Sequence, residues 1–337
     1  MKPLPLAAAI ERLRSPDALE RFSPLTGDAL LLVDLSAEGG RPTPEALAAA
    51  RASLARLPCP AVAVGADAPG PLADRLLDAF DVVVASDAEL APVLDAVARA
   101  PLAAMALVQL LRHSESLEVE QGLLAESLVY STLQGGPEFA AWLAARPLPT
   151  PREASGEPPV RVERDGERLH LTLNRPEQHN AYSAEMRDAL VEGLQIALWD
   201  ASIAEIVLRG AGPSFCSGGN LGEFGTLPDP ATAHAIRSTR NAARLLADCA
   251  GRLRVEVHGA CVGAGAELPG FAAHVVARAD SFFQLPELAM GLVPGAGGTV
   301  SIPRRIGRQR TAWLALSGAR LDAETALRWG LVDEIAS

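Results

Sequence analysis

Two carboxylates and two runs of small residues carry the chemistry that this sequence offers. Glu267 stands in the first turn of the helix expected after the run VGAGAE, Val262 to Glu267, and Glu287 follows 20 positions later in QLPEL. Leu285, Leu288 and Met290 surround Glu287 with apolar side chains, an environment that raises a carboxyl pKa toward the range of proton exchange near neutrality. The runs CSGG, Cys216 to Gly219, and VGAGAE are small enough for a ligand carbonyl to reach backbone N–H groups, and the second opens a helix whose dipole favours negative charge. Two such loops together make an oxyanion hole. Taken singly, each feature has a plainer reading: a Gly-rich turn, a carboxylate satisfying a helix dipole, a solvated loop charge.

These groups need elements to position them. After the proline-rich stretch PLPTPREASGEPP, Pro147 to Pro159, which neither a helix nor a central strand tolerates, VRVERDGERLHLTLNRP alternates apolar and polar residues around Asp165-Gly166 and reads as a β-hairpin. A helix capped by Ser183 follows, with its apolar stripe at Met186, Leu190, Leu194 and Ala197. EIVLRG reads as a strand, Pro230 to Cys249 as one helix, and LRVEVHG and HVVARAD as further strands. Before the proline-rich stretch, Ala29 to Ser36, Ala61 to Ala66 and a run from Asp81 read as buried strands, with a helix from about Pro44 to Leu57. Glu89 to Arg146 is mostly helical, through Leu102 to Leu111, Leu117 to Leu133 and a short helix after Pro137.

The 337 residues are 49% hydrophobic, 21% charged and 4% aromatic, the balance of a globular protein. A net charge of −11 opposes a nucleic-acid partner, and no run approaches the length of a membrane span. A cytoplasmic protein with no metal and no redox cofactor is expected. Cys59, Cys216, Cys249 and Cys261 lack metal-ligand spacing and should be reduced and buried.

The segments LNRPEQHNAYS, SFCSGGNLGEF, VHGACVGAGAELPG, FQLPELAMGLVPGAGGT and LALSGARLDAETALRWGLVDEI occur in the order of the enoyl-CoA hydratase/isomerase (crotonase) family, which this chain resembles from about Val160 onward. The resemblance implies an α/β fold with a crotonase-type ββα spiral core at 160–337. It places the oxyanion donors at the amides of Ser217 or Gly218 and of Ala264, although the family usually has Ala at the first position and Gly at the last. Glu267 and Glu287 match the two glutamates with which hydratases position a water and move a proton. The implied reaction is syn addition of water to a 2-enoyl-CoA thioester, with Glu287 as main acid/base and Glu267 holding the water. Ala181 falls where the family's backbone meets the CoA adenine, with Arg175 as a phosphate partner. Pro294 to Thr299 is the turn and helix start beside the acyl pocket. Asn220 replaces the usual Asp. The run Arg304 to Arg310 reads either as a phosphate-neutralising patch or as a solvated helix face.

Family members usually continue past the GLVDE segment into helices that cover the acyl pocket, and residues 81–146 resemble that tail in pattern and order. The expectation is therefore a small α/β region at 1–88, read as a reduced crotonase-like repeat, a helical lid and oligomerisation module at 89–146, a linker at 147–159 and the core at 160–337. The helices would serve either their own core or a neighbour's in a trimer or hexamer. Hydratase is the leading function; an isomerase or another crotonase-type acyl-CoA reaction is the first alternative and a non-catalytic acyl-CoA-binding subunit the second.

Overall fold

Two short parallel strands explain why glutamates 20 positions apart share one site. The computed structural model describes residues 2–36, 42–65, 76–147 and 156–336. Ala260–Val262 and Phe282–Gln284 lie side by side with Val262 opposite Gln284, and each leads directly into a glutamate-bearing turn. With Leu321–Asp322 they form a three-stranded sheet.

The larger sheet has six strands in the spatial order Glu334–Ala336, His274–Arg278, Leu253–Val257, Glu205–Gly210, Arg168–Leu173 and Val160–Asp165. Its last pair is the expected antiparallel hairpin, turning at Gly166 with φ 58°. Leu169, Leu171 and Leu173 face inward at every second position. Ala184–Trp199 begins with the Ser183 hydroxyl accepting from the Met186 N–H at 3.1 Å. The single helix expected from Pro230 to Cys249 is instead two, Pro230–Thr239 and Ala242–Asp248. The break falls at Asn241, whose side chain accepts from the Arg244 N–H; Asn favours such a cap over a helix interior.

The N-terminal strands also form. Leu4–Pro5, Leu31–Asp34, Ala61–Val64 and Val82–Val84 make a four-stranded parallel sheet in that order, with its own apolar cluster beneath Leu6–Leu13 and Pro44–Leu54. Helices Asp87–Arg99, Pro101–Ser114, Val119–Gln134 and Pro137–Ala145 then run over the same chain's C-terminal half. Val119–Gln134 packs on Gly298–Ile306 and on Pro230–Thr239, and Pro101–Ser114 packs on Gly298–Ile306 and Arg308–Ser317. Leu107 and Leu123 belong to one apolar core with Leu171, Val255 and Val300. Gly122 permits the close approach: a Cβ there would lie 2.9 Å from Val300 Cγ2. Of the expected linker, residues 148–155 lie outside the described residues. No single described helix is long and apolar enough to cross a membrane.

A buried ion cluster ties these parts together. Asp81, 1% exposed, accepts from Arg112 Nε at 2.8 Å and Arg308 Nη1 at 3.0 Å, and from the Ala61 N–H at 2.8 Å. The basic run is thus mainly structural. Arg304 donates to the Val300 and Leu117 carbonyls, Arg305 pairs with Asp333, Arg308 joins Asp81, and Arg310 lies 5.3 Å over the Trp329 ring. Arg305 and Arg308 are drawn into the fold, while Arg304 and Arg310 remain exposed, so a solvated face describes only those two. Removing one member of a buried ion cluster leaves uncompensated charge, so Asp81→Ala should lower the stability of the chain by about 3–5 kcal/mol, read from the midpoint of denaturant unfolding at unchanged slope.

Candidate active site

Both glutamates border one cavity of about 480 Å³, and both are buried. They meet across Gly263, which has φ 50° and ψ −119°. A Cβ at Gly263 would lie 2.6 Å from Glu287 Oε1, 3.5 Å from the Gly218 Cα and 3.9 Å from Glu267 Oε1. The two small-residue loops and the two carboxylates therefore converge on a point that only glycine leaves open.

The carboxylates differ in their surroundings. Glu267 Oε2 accepts from the Ala296 N–H at 2.7 Å and the Gly298 N–H at 2.8 Å, so its position is fixed. Glu287 Oε2 is buried without a hydrogen-bond partner. Burial pushes the Glu287 carboxyl up to about 8, with the charge of Glu126 adding to the rise. Burial also drives Glu267 well above the ordinary carboxylate range, reinforced by the charges of Glu287 and Glu126 and opposed by its two amide donors. Glu267 is thus the anchored carboxyl of the pair, and Glu287 keeps an oxygen without a partner.

On the first loop, the Gly219 amide that faces the cavity lies one residue beyond the expected Ser217 or Gly218. The Ser217 N–H is spent on the His179 carbonyl at 2.9 Å, because His179 and Asn180 adopt left-handed conformations that turn this carbonyl inward. The Gly218 N–H lies against the Cys216 sulfur and partly offsets the burial that pushes that thiol up to about 12. Tyr182 donates to the Gly218 carbonyl and accepts from the Asn220 N–H, which turns the intervening Gly219 N–H away from Tyr182. Gly219 and Ala264 both line the cavity, and neither amide donates to a backbone carbonyl among the described residues. Asn220 caps the Leu221–Glu223 turn by accepting from the Gly222 N–H at 3.0 Å, a role that Asp fills equally well.

The expected phosphate partner is engaged elsewhere. Arg175 is 5% exposed, and its guanidinium donates to the Asn174 carbonyl and to Glu185. The enclosing Asn174 to Asn180 loop thus makes it a staple rather than a phosphate ligand. Ala181 is half-buried, with its N–H on the Gln178 carbonyl.

The family's sequence profile, described as Enoyl-CoA hydratase/isomerase, matches residues 166–337, half of the chain. The chain belongs to the enoyl-CoA hydratase/isomerase family. Among its relatives are the 1,2-epoxyphenylacetyl-CoA isomerase of Escherichia coli K12, 36% identical over 171 residues that are 50% of this chain and 65% of the relative. The 2,3-dehydroadipyl-CoA hydratase of the same organism is 36% identical over 174 residues, 52% of this chain and 68% of the relative. The chain thus spans about two thirds of the length of these relatives. An enoyl-CoA hydratase of Mycobacterium smegmatis aligns with a TM-score of 0.50 at 29% identity, covering 54% of this chain and 71% of that one. The sheets and helices of the matched half accordingly form a crotonase-type α/β fold.

Three side chains at this enoyl-CoA hydratase/isomerase cavity were not anticipated. Glu126, 3% exposed, comes from the Val119–Gln134 helix, and burial raises its carboxyl to about 7. Tyr130 of the same helix packs so closely on the 294–299 turn that a Cβ at Gly295 would strike its ring. Arg237 stacks 4.7 Å over Tyr130 and donates to Ser127, Ser131 and Gln134. The one signal in the sequence is spacing: Glu126 shares a helical face with Gly122, Leu123 and Leu133, which are all buried.

The raised pKa of Glu287 has a consequence for stability. Its carboxyl titrates near 4.5 in the unfolded chain and near 8 in the fold, so the native state binds more protons between those values. Stability is therefore lost as pH rises through that window. Glu287→Gln removes the penalty and should stabilise the protein at pH 8.5 by up to about 3 kcal/mol, a gain that vanishes toward pH 4 when thermal unfolding is followed across pH.

Proposed function

We propose that the protein is an enoyl-CoA hydratase. The thioester oxygen lies between the Gly219 and Ala264 amides, which stabilise the enolate as it forms. Glu267, anchored by the Ala296 and Gly298 amides, in its ionised form positions a water and takes its proton as the oxygen bonds to C3. Glu287 gives its proton to C2 from the same face, and the proton on Glu267 restores the pair. The observation that carries the reading is the convergence of both buried carboxylates and the two loops at Gly263. A raised pKa suits Glu287 to hold a proton at neutral pH.

One observation favours a second reading within the family. Glu287 Oε2 is buried without a partner, and an isomerase needs just one group, to take a proton from C2 and return it at C4. A non-catalytic acyl-CoA-binding subunit is the third reading, and two carboxylates buried at the cost of their charge speak against it. Tyr130, Trp142 and Phe224 on the cavity wall suit an apolar or aryl acyl chain. The domain reading fits as follows: residues 89–146 serve as the lid of their own core at 160–337, residues 1–88 are a reduced repeat, and 147–159 join them. Assembly into a trimer or hexamer belongs to the same proposal.

Loss of enoyl-thioester absorbance with crotonyl-CoA and a longer 2-enoyl-CoA tests the reading. Wild type should turn over, while Glu267→Gln and Glu287→Gln should each lose about 10²–10⁴-fold in kcat with CoA-ester binding retained. Turnover of a 3-enoyl-CoA that survives Glu267→Gln but not Glu287→Gln would select the isomerase. Binding without any turnover would leave the binding subunit.

A further inference from the structure

The helix Gly298–Ile306 starts with four successive amides at 296–299, and two carboxylates divide them in alternation. Glu267 takes Ala296 and Gly298. Glu126 takes the other two: Oε1 accepts from the Gly297 N–H at 2.7 Å, and Oε2 from the Thr299 N–H at 2.9 Å and the Thr299 hydroxyl at 2.7 Å. The two glutamates come from different halves of the chain and grip the same turn. We propose that Glu126 is a positioning residue of the acid/base pair, fixing the 296–299 turn so that its alternate amides hold Glu267 beside Glu287. This rests on the acid/base reading of Glu267 and Glu287.

A turn with only Ala296 and Gly298 engaged could rotate about its own axis, since Gly295, Gly297 and Gly298 give it little stiffness. The three donors held by Glu126 prevent that rotation, and the Glu267 carboxylate inherits the restraint. Misplacing a catalytic group by about 1 Å costs on the order of 10²-fold in rate. Buried polar groups of this kind are costly unless fully satisfied, and both Glu126 oxygens are satisfied.

Glu126 also acts through its charge. The groups facing it are Glu267 and Glu287 on their turns, Tyr130 on its own helix, and Arg237 on Pro230–Thr239. His234 on that helix bonds Ser127. On the neighbouring helices Arg112 is held by Asp81, and Glu138 by the Leu102 and Ala103 amides. An anionic Glu126 therefore raises the carboxyls of both partners.

The test is exchange of the α-proton of butyryl-CoA in deuterated water, followed by NMR against pH, with the dissociation constant measured separately. This reports the acid/base groups without requiring hydration. In wild type the rate should rise as Glu287 ionises. In Glu126→Gln the midpoint should move to lower pH, because a neighbouring anion is gone, and the plateau should fall by about 10²-fold with binding nearly unchanged. Thr299→Val, a milder change that removes one of the three donors and weakens the anionic form of Glu126, should move both in the same direction by less. Wild-type midpoint and plateau in a folded Glu126→Gln, or in Thr299→Val where the first variant does not fold, would overturn the proposal. Wild type that binds butyryl-CoA without exchange would overturn it together with the acid/base reading. Exchange without hydration of crotonyl-CoA would remove the hydratase alone and leave the role of Glu126 intact.

Discussion

The alternate grip of Glu126 and Glu267 on the amides at 296–299 is the contact from which the rest of the site follows. Backbone N–H groups at a helix start have no partner within the helix and must find one. Here they find two carboxylates, each otherwise too costly to bury. The helix start and the acids thus stabilise one another. The same contact binds the Val119–Gln134 helix to the C-terminal half and sets one wall of the cavity.

The energetics of the site are those of desolvation. Glu126, Glu267 and Glu287 are buried within one region, and burial is the largest influence on each. Arg237 brings positive charge near Glu126, and its guanidinium is engaged by Ser127, Ser131 and Gln134 rather than by a carboxylate. Such a cluster resists carrying three negative charges at once. Its preferred state near neutrality retains protons, which is what delivery of a proton to carbon requires.

Much of this was legible in the sequence. The five ordered motifs located Glu267, Glu287 and both small-residue loops, and hydrophobic periodicity located the hairpin, the strands and the N-terminal helices. Three things were not legible. Which amide faces the cavity depends on the left-handed turn at His179 and Asn180, which takes up the Ser217 N–H and leaves Gly219 as the donor proposed on the first loop, where Ser217 or Gly218 was expected. Arg175 looked free because its partner, Glu185, is brought to it only by the fold. Glu126 was hidden because it lies 173 residues from Thr299, and nothing local in the helix says which distant backbone this acid will meet.

That separation bears on how the protein is made. The ribosome completes the Val119–Gln134 helix well before the Gly298–Ile306 helix exists, so the face carrying Gly122, Leu123 and Glu126 waits for its partner while the intervening chain is synthesised. Contacts so remote in sequence form late and slowly, and apolar surface exposed in the interval is prone to aggregate. The wall of the cavity that this helix supplies is thus completed only when the two distant stretches of chain meet.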